Sequence, residues 1–213
     1  MLPPNTPWSA TRCADFTPLQ RRWLIRPGSL TETLRAEGHF TLRVLCEGAE
    51  ELSAQESELL GEAVGSPIWL REVVMAVNGV DSVFARSFAL LPDTEEQGAW
   101  AAVCALRSNP LRDILYDDPA ISRSSFRVAR LVPQDPAYES LRRAMPESCP
   151  PAHDFLSRYS VFTREGRPFL VMECFFPSFW ETVSARCYSP HGVSSTSIHA
   201  PATTCSTQRV LPC

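Results

Sequence analysis

GRPFLVMECFFP, residues 166–177, is the most apolar strand this chain can make, and a carboxylate sits in its middle. Side chains alternate faces along a strand, so Glu173 shares a face with Phe169, Val171 and Phe175. The other face carries Leu170, Met172, Cys174 and Phe176, so a register slip of one residue would not bring the acid to water. An ionised carboxylate buried without a partner is costly unless its pKa rises. The preceding segment FLSRYSVFTR (155–164) pairs back onto residues 167–176 across Glu165-Gly166, which makes the stretch one arm of a hairpin.

Two further strands pose the same question with the opposite sign. In SPIWLREVVMAV (66–77), Arg71 lies on the face of Trp69, Val73 and Met75. In SVFARSFALLP (82–92), Arg86 lies on the face of Phe84, Phe88 and Leu90. The two flank NGVD, a tight-turn sequence, and so form a second hairpin. Three mid-strand charges of mixed sign have two readings: they converge on one interior site, or they pair as structural ions that hold the sheet together.

The remaining elements follow from pattern and caps. PLQRRWLI (18–25) is a short amphipathic helix, and Ser29-Leu30-Thr31-Glu32 has capping-box spacing for a helix that stops at Gly38. HFTLRVLC (39–46) alternates as a half-buried strand, and SAQESELL (53–60) forms a helical turn. Asp93 with Glu96 opens a helix to about residue 107, and Asn109-Pro110 starts a second short one, LRDILY. SFRVARLV (125–132) is a strand and PAYESLRRAM (136–145) a helix. Six strands joined by hairpins and antiparallel returns, with helices between, define an α+β fold on one antiparallel sheet. Residues 1–17 read as an N-terminal loop. Residues 178–213 read as a disordered tail, because from 182 onward the chain is rich in Ser and Thr and has no Asp or Glu.

Composition narrows the function. With 44% hydrophobic and 21% charged residues among 213, the chain has a globular composition. A net charge of −4 argues against nucleic acid or an anionic membrane as partner. No apolar run reaches a membrane-spanning length, and the N-terminus is no signal peptide. The eight cysteines are scattered without metal-ligand spacing and the four histidines are isolated, so no metal is expected and a reducing, cytoplasmic setting is.

WLREVVMAVNG, ARSFALLP, NPLRDILY and GRPFLVMECFFP, in this order, resemble the chorismate pyruvate-lyase family over roughly residues 18–177. The resemblance implies a six-stranded antiparallel sheet with helices, the ligand enclosed under two helical flaps. It implies a lyase that converts chorismate to 4-hydroxybenzoate and pyruvate, the first committed step of ubiquinone biosynthesis, as a monomer without a cofactor. Carried over by motif, Arg71 meets a substrate carboxylate and polarises the departing enolpyruvyl group, while Glu173 meets the ring hydroxyl and assists proton movement. Leu30 contacts the ligand through its backbone amide, and Leu111 and Arg86 also contact it. Ala85 stands where the family has glycine. By pattern alone Leu30 and Leu111 are ordinary apolar positions on helix faces, and Arg86 is equally suited to a purely structural role, paired with Glu72 or Glu173. The rival implied function is a non-catalytic effector-binding domain of a bacterial transcription regulator, which looks like the same fold. Such domains normally follow a winged helix, whereas fewer than 20 residues precede the first helix here.

Overall fold

The computed structural model describes residues 15–188 except 108. Three long strands open the sheet: β1 (Phe40–Glu51), β2 (Pro67–Val77) and β3 (Val80–Leu90). Two short ones follow, β4 (Ser122–Arg123) and β5 (Arg127–Arg130), before the closing hairpin of β6 (Leu156–Arg164) and β7 (Arg167–Phe175). All pair antiparallel in the order β1-β2-β3-β7-β6-β4, with β5 also on β6. Both hairpins turn on two residues with positive φ, Asn78-Gly79 and Glu165-Gly166, the backbone that a tight hairpin with right-handed strand twist demands.

The sheet has seven strands where six were expected. The strand read over 125–132 is the shorter β5, and the additional strand is β4, which lies just before that range. Between the two, Ser124 N donates to Val161 O while Val161 N donates to the Ser124 hydroxyl. At Ser124 a side chain thus replaces the main-chain acceptor in the ladder, which separates the two short strands.

Among the described residues six α-helices flank the sheet: α1 (Pro18–Leu24), α2 (Leu30–Glu37), α3 (Ala54–Leu60), α4 (Arg112–Leu115), α5 (Pro136–Ala144) and α6 (Pro177–Tyr188). Ser29 and Ser53 cap α2 and α3 as their sequences require. The helix expected from Asp93 to about 107 is instead two 3-10 turns, Leu91–Thr94 and Ala101–Ala105. Between them the chain doubles back so that Trp100 N donates to Asp93 O, and a Cβ at Gly98 would lie 2.2 Å from that same oxygen. Trp100 is thereby buried against Phe169.

The expected tail also starts too early. Residues 177–188 form α6, whose Phe179 and Val183 are buried beside Trp23 and Phe175. Two buried apolar positions four residues apart, on one face of the helix, outweighed a run of Ser and Thr. The rest of that tail, and most of the expected N-terminal loop, lie outside the described residues.

Alternation divides the core. One face of the sheet packs Leu70, Val74, Phe84, Phe88, Leu170 and Met172 against Leu141 of α5 and Phe155. The other face carries two separate clusters. One gathers Val73, Met75 and Ala85 under α1, α2 and α6; the other gathers Trp69, Ala89, Phe162 and Phe169 under Trp100 and Leu115.

Candidate active site

Where those two clusters part, a pocket with about 530 Å³ of empty space, partly open to solvent, sits on the sheet. Its floor is Arg71, Val73 and Met75 from β2, Ala85 from β3, and Val171 and Glu173 from β7. Strand register explains the grouping: Val73 pairs with Ala85, which pairs with Glu173, so the three side chains share a face. Leu30 comes from the start of α2, and Pro110 and Leu111 from the turn that leads into α4.

Arg71 is almost wholly buried. Its Nη2 donates to the carbonyls of Arg107 (2.7 Å) and Asn109 (3.0 Å), which holds the turn bearing Leu111 over the pocket. Its Nε lies 3.3 Å from Glu47 but without hydrogen-bond alignment. Burial draws this guanidinium's pKa down from its usual value, against the opposing pull of Glu47. A buried cation this poorly compensated favours the arrival of an anion.

Glu173 is held by Arg158, whose Nε donates to it at 2.5 Å. The same arginine donates from Nη1 to the carbonyls of Trp23 and Arg26, and its guanidinium stacks 4.1 Å from the Phe126 ring centroid. Arg158 was not among the expected residues, although the same reading points to it. A hairpin turning on Glu165-Gly166 sets residue 158 opposite residue 173, as the observed register has it. Arg123 and Tyr116, also pocket-lining, carried no comparable signal because the edge strand and the segment after α4 have no regular period.

The roof is tied to itself. Arg112 of α4 pairs with Glu32 of α2 at 2.8 Å. The Tyr116 hydroxyl donates to Gly28 O, just before α2, and accepts from Arg123 Nη1. Burial, then the nearby Glu173, raises the Tyr116 pKa, so the phenol stays a donor at neutral pH; Arg123 and Arg158 oppose the rise.

Arg86 does not join Arg71 and Glu173. It pairs across β2–β3 with Glu72, one residue out of phase with Arg71, and therefore points from the opposite face. There it meets Glu56 (2.7 Å) and Glu72 (2.5 Å), while Ser140 of α5 donates to Glu72. Burial weakens this cation's hold on its proton, but the two carboxylates outweigh burial and its pKa rises. The three charges flagged in the strands thus divide: two face one pocket and the third belongs to a structural ion network. The cations that replace Arg86 around the pocket are Arg112 and Arg123. Among the described residues, no three His, Cys, Asp or Glu cluster so as to hold a metal ion. No helix among them is long and apolar enough to cross a membrane.

An α+β protein with one antiparallel sheet and an apolar pocket fringed by arginines and one acid is built to bind a small organic anion. Comparison with known proteins makes the class specific. The chain matches the chorismate lyase family over residues 2–185 and belongs to it. A probable chorismate pyruvate-lyase of Bordetella avium is 46% identical over 180 residues, covering 83% of this chain and 86% of that one. Another, from Bordetella pertussis, is 41% identical over 179 residues, covering 84% and 92%. Among solved structures, the PhnF protein of Mycobacterium smegmatis is similar at 13% identity and a TM-score of 0.48, covering 71% of this chain and 65% of that one; a likeness this distant carries no argument.

Proposed function

We propose that this protein cleaves chorismate to 4-hydroxybenzoate and pyruvate in the pocket between Arg71 and Glu173. The observation that carries the reading is their placement: a buried, under-compensated arginine and a partnered carboxylate share one face of the sheet in a chain of this family. Chorismate is a dianion whose ring bears a carboxylate, and across the ring from it a hydroxyl. Arg71 takes the ring carboxylate with its remaining Nη1, the planar guanidinium giving a directed, charge-assisted contact. Backbone amides at the start of α2 lie on the same side, where Leu30 lines the pocket and a helix N-terminus favours an anion. Glu173 then faces the 4-hydroxyl and the neighbouring ether carbon.

The reaction breaks the ether C–O bond. The electron pair leaves with the enolpyruvyl oxygen, that fragment takes a proton and becomes pyruvate, and the ring loses a proton from the hydroxyl-bearing carbon to become aromatic. Glu173 holds the hydroxyl and assists this proton movement, while Arg158 keeps the carboxylate oriented. Apolar walls (Leu30, Val73, Leu111, Val171) exclude water and confine the side chain near a reactive conformer. The segments around α2 and α4 serve as two flaps, joined by the Arg112–Glu32 pair and the Tyr116–Gly28 hydrogen bond, and they must part for ligand exchange.

Mixing the protein with chorismate and following pyruvate release together with 4-hydroxybenzoate absorbance tests the reading. Arg71→Ala and Glu173→Gln are expected to keep the fold and lower turnover by about 100-fold or more, the scale of a lost acid–base group or anion anchor. Wild-type protein that leaves chorismate intact would refute the activity. Near-normal turnover by either variant would refute the roles.

A further inference from the structure

With Arg71 on the ring carboxylate and Glu173 on the hydroxyl, the second carboxylate of the substrate, on the enolpyruvyl group, has no partner in the site as described so far. That group is attached next to the hydroxyl-bearing carbon. Its carboxylate therefore projects to one side of the line from Arg71 to Glu173.

The arginines near the pocket differ in what they already hold. Arg71 has Glu47 beside it, Arg112 is committed to Glu32 with Asp113 and Asp117 alongside, and Arg158 is committed to Glu173. Arg123 lines the pocket and has no carboxylate partner among the described residues. Its guanidinium is instead fixed by aromatic rings and neutral oxygens. It lies 4.4 Å from the Phe126 ring centroid and 5.8 Å from that of Phe162, and its Nη1 donates to the Tyr116 hydroxyl (2.7 Å) and, more weakly, to Gly28 O (3.4 Å). Nη2 and Nε make no hydrogen bond to protein among the described residues. The cation is pre-oriented with part of its donor fork unused, which is what a site for an incoming carboxylate requires.

Position agrees. Arg123, on β4, pairs with Phe162 of β6, four strand spacings from Arg71 along β2-β3-β7-β6-β4, about 19 Å at about 4.8 Å each, and two residues along the strands to the side away from Glu173, where a lateral substituent of the ring can point. Two long side chains reaching inward from those ends narrow the gap to the length of a small molecule with an anionic group at each end. Tyr116 ties the two regions together, being bonded to Arg123 and within electrostatic reach of Glu173.

We propose that Arg123 is the anchor for the enolpyruvyl carboxylate of the substrate and for the same carboxylate in the pyruvate that departs. Because its present partners, Tyr116 and Gly28, belong to the two flap segments, capture of this carboxylate also tightens the roof over the bound dianion. The inference rests on the chorismate-cleaving reading above, and it separates substrate from aromatic product: chorismate presents two carboxylates and 4-hydroxybenzoate only one.

The test compares kcat and KM for chorismate with the dissociation constant for 4-hydroxybenzoate in wild type, Arg123→Gln and Arg123→Lys. Loss of a charge-assisted contact predicts a fall of roughly 10- to 100-fold in kcat/KM for the Gln variant, with 4-hydroxybenzoate binding within about 2-fold of wild type. The Lys variant, which keeps the charge and loses the fork, should fall between. Equal weakening of chorismate and 4-hydroxybenzoate would overturn the proposal and leave Arg123 a structural brace. Unchanged kcat/KM in the Gln variant would overturn it too. If the Gln variant binds no 4-hydroxybenzoate because it fails to fold, the Lys variant decides by the same ratio. Wild-type protein that binds 4-hydroxybenzoate yet releases no pyruvate would instead count against the lyase reading itself.

Discussion

Arg158 is as deeply buried as Arg71, and its partners explain how a charge is kept there: Glu173, two backbone carbonyls and the face of Phe126. Removing one member of such a pair strands the other in a low-dielectric setting. Arg158→Met is therefore expected to cost about 3 kcal/mol of stability in urea unfolding. It should also lower kcat about 10-fold at a temperature where the variant is still folded, with little change in 4-hydroxybenzoate affinity, because an unheld Glu173 samples unproductive positions. A lowered melting temperature with unchanged kcat would make Arg158 structural only. Glu173 itself was legible in the sequence as an acid in an apolar run. Its partner was equally legible from the turn at Glu165-Gly166, since hairpin register is a matter of counting. Arg123 was not, because a two-residue strand carries no period to count.

Asp135, the N-cap of α5, shows how an element can carry a pH response. It accepts from Ala137 N and is almost fully buried, and burial pushes its carboxyl up to about 6. Glu56 and Glu139 add to the rise; the bond from Ala137 and the charge of Arg86 oppose it. A carboxyl whose folded pKa lies above its unfolded value of about 3.9 binds its proton more tightly when folded, so it stabilises fully below about pH 4. That contribution is lost as pH rises through about 6, amounting to about 2–3 kcal/mol. Asp135→Asn keeps the cap without the charge. It should match wild type near pH 4.5 and exceed it near pH 8 in denaturant unfolding, whereas parallel pH profiles would show that the cap is not the titrating group. Element prediction was sound at α2, where capping-box spacing marked the start, and at α3 and α5. It failed at 93–107, where cap and apolar content suggested a helix but the close return of Trp100 onto Asp93 took precedence.

Across the whole molecule, the two faces of the sheet divide labour. The pocket face keeps its charges available to a ligand, while the opposite face satisfies its own. Arg86 binds Glu56 of α3 and Glu72 of β2, and Glu72 in turn binds Ser140 of α5, so one network joins two helices to the sheet. Arg86→Met leaves two buried carboxylates without their cation and should cost about 3–5 kcal/mol, with KM for chorismate changed less than about 2-fold. A large rise in KM at unchanged stability would return Arg86 to the binding site. The helix α6 makes the same point about distance: its Phe179 packs edge-on against Trp23, far away in sequence. Local alternation, caps and turns determined the α+β class, the two hairpins and the presence of Glu173, Arg71 and Arg86 as interior charges, because these depend on neighbours a few residues apart. Which charges meet was decided only by tertiary structure. A shift of one residue between β2 and β3 sends a side chain to the other face, so cross-strand register separated Arg86 from Arg71, while the packing of the edge strand and of the segment after α4 over the sheet added Arg123 and Tyr116 to the pocket of the acid that the sequence had singled out.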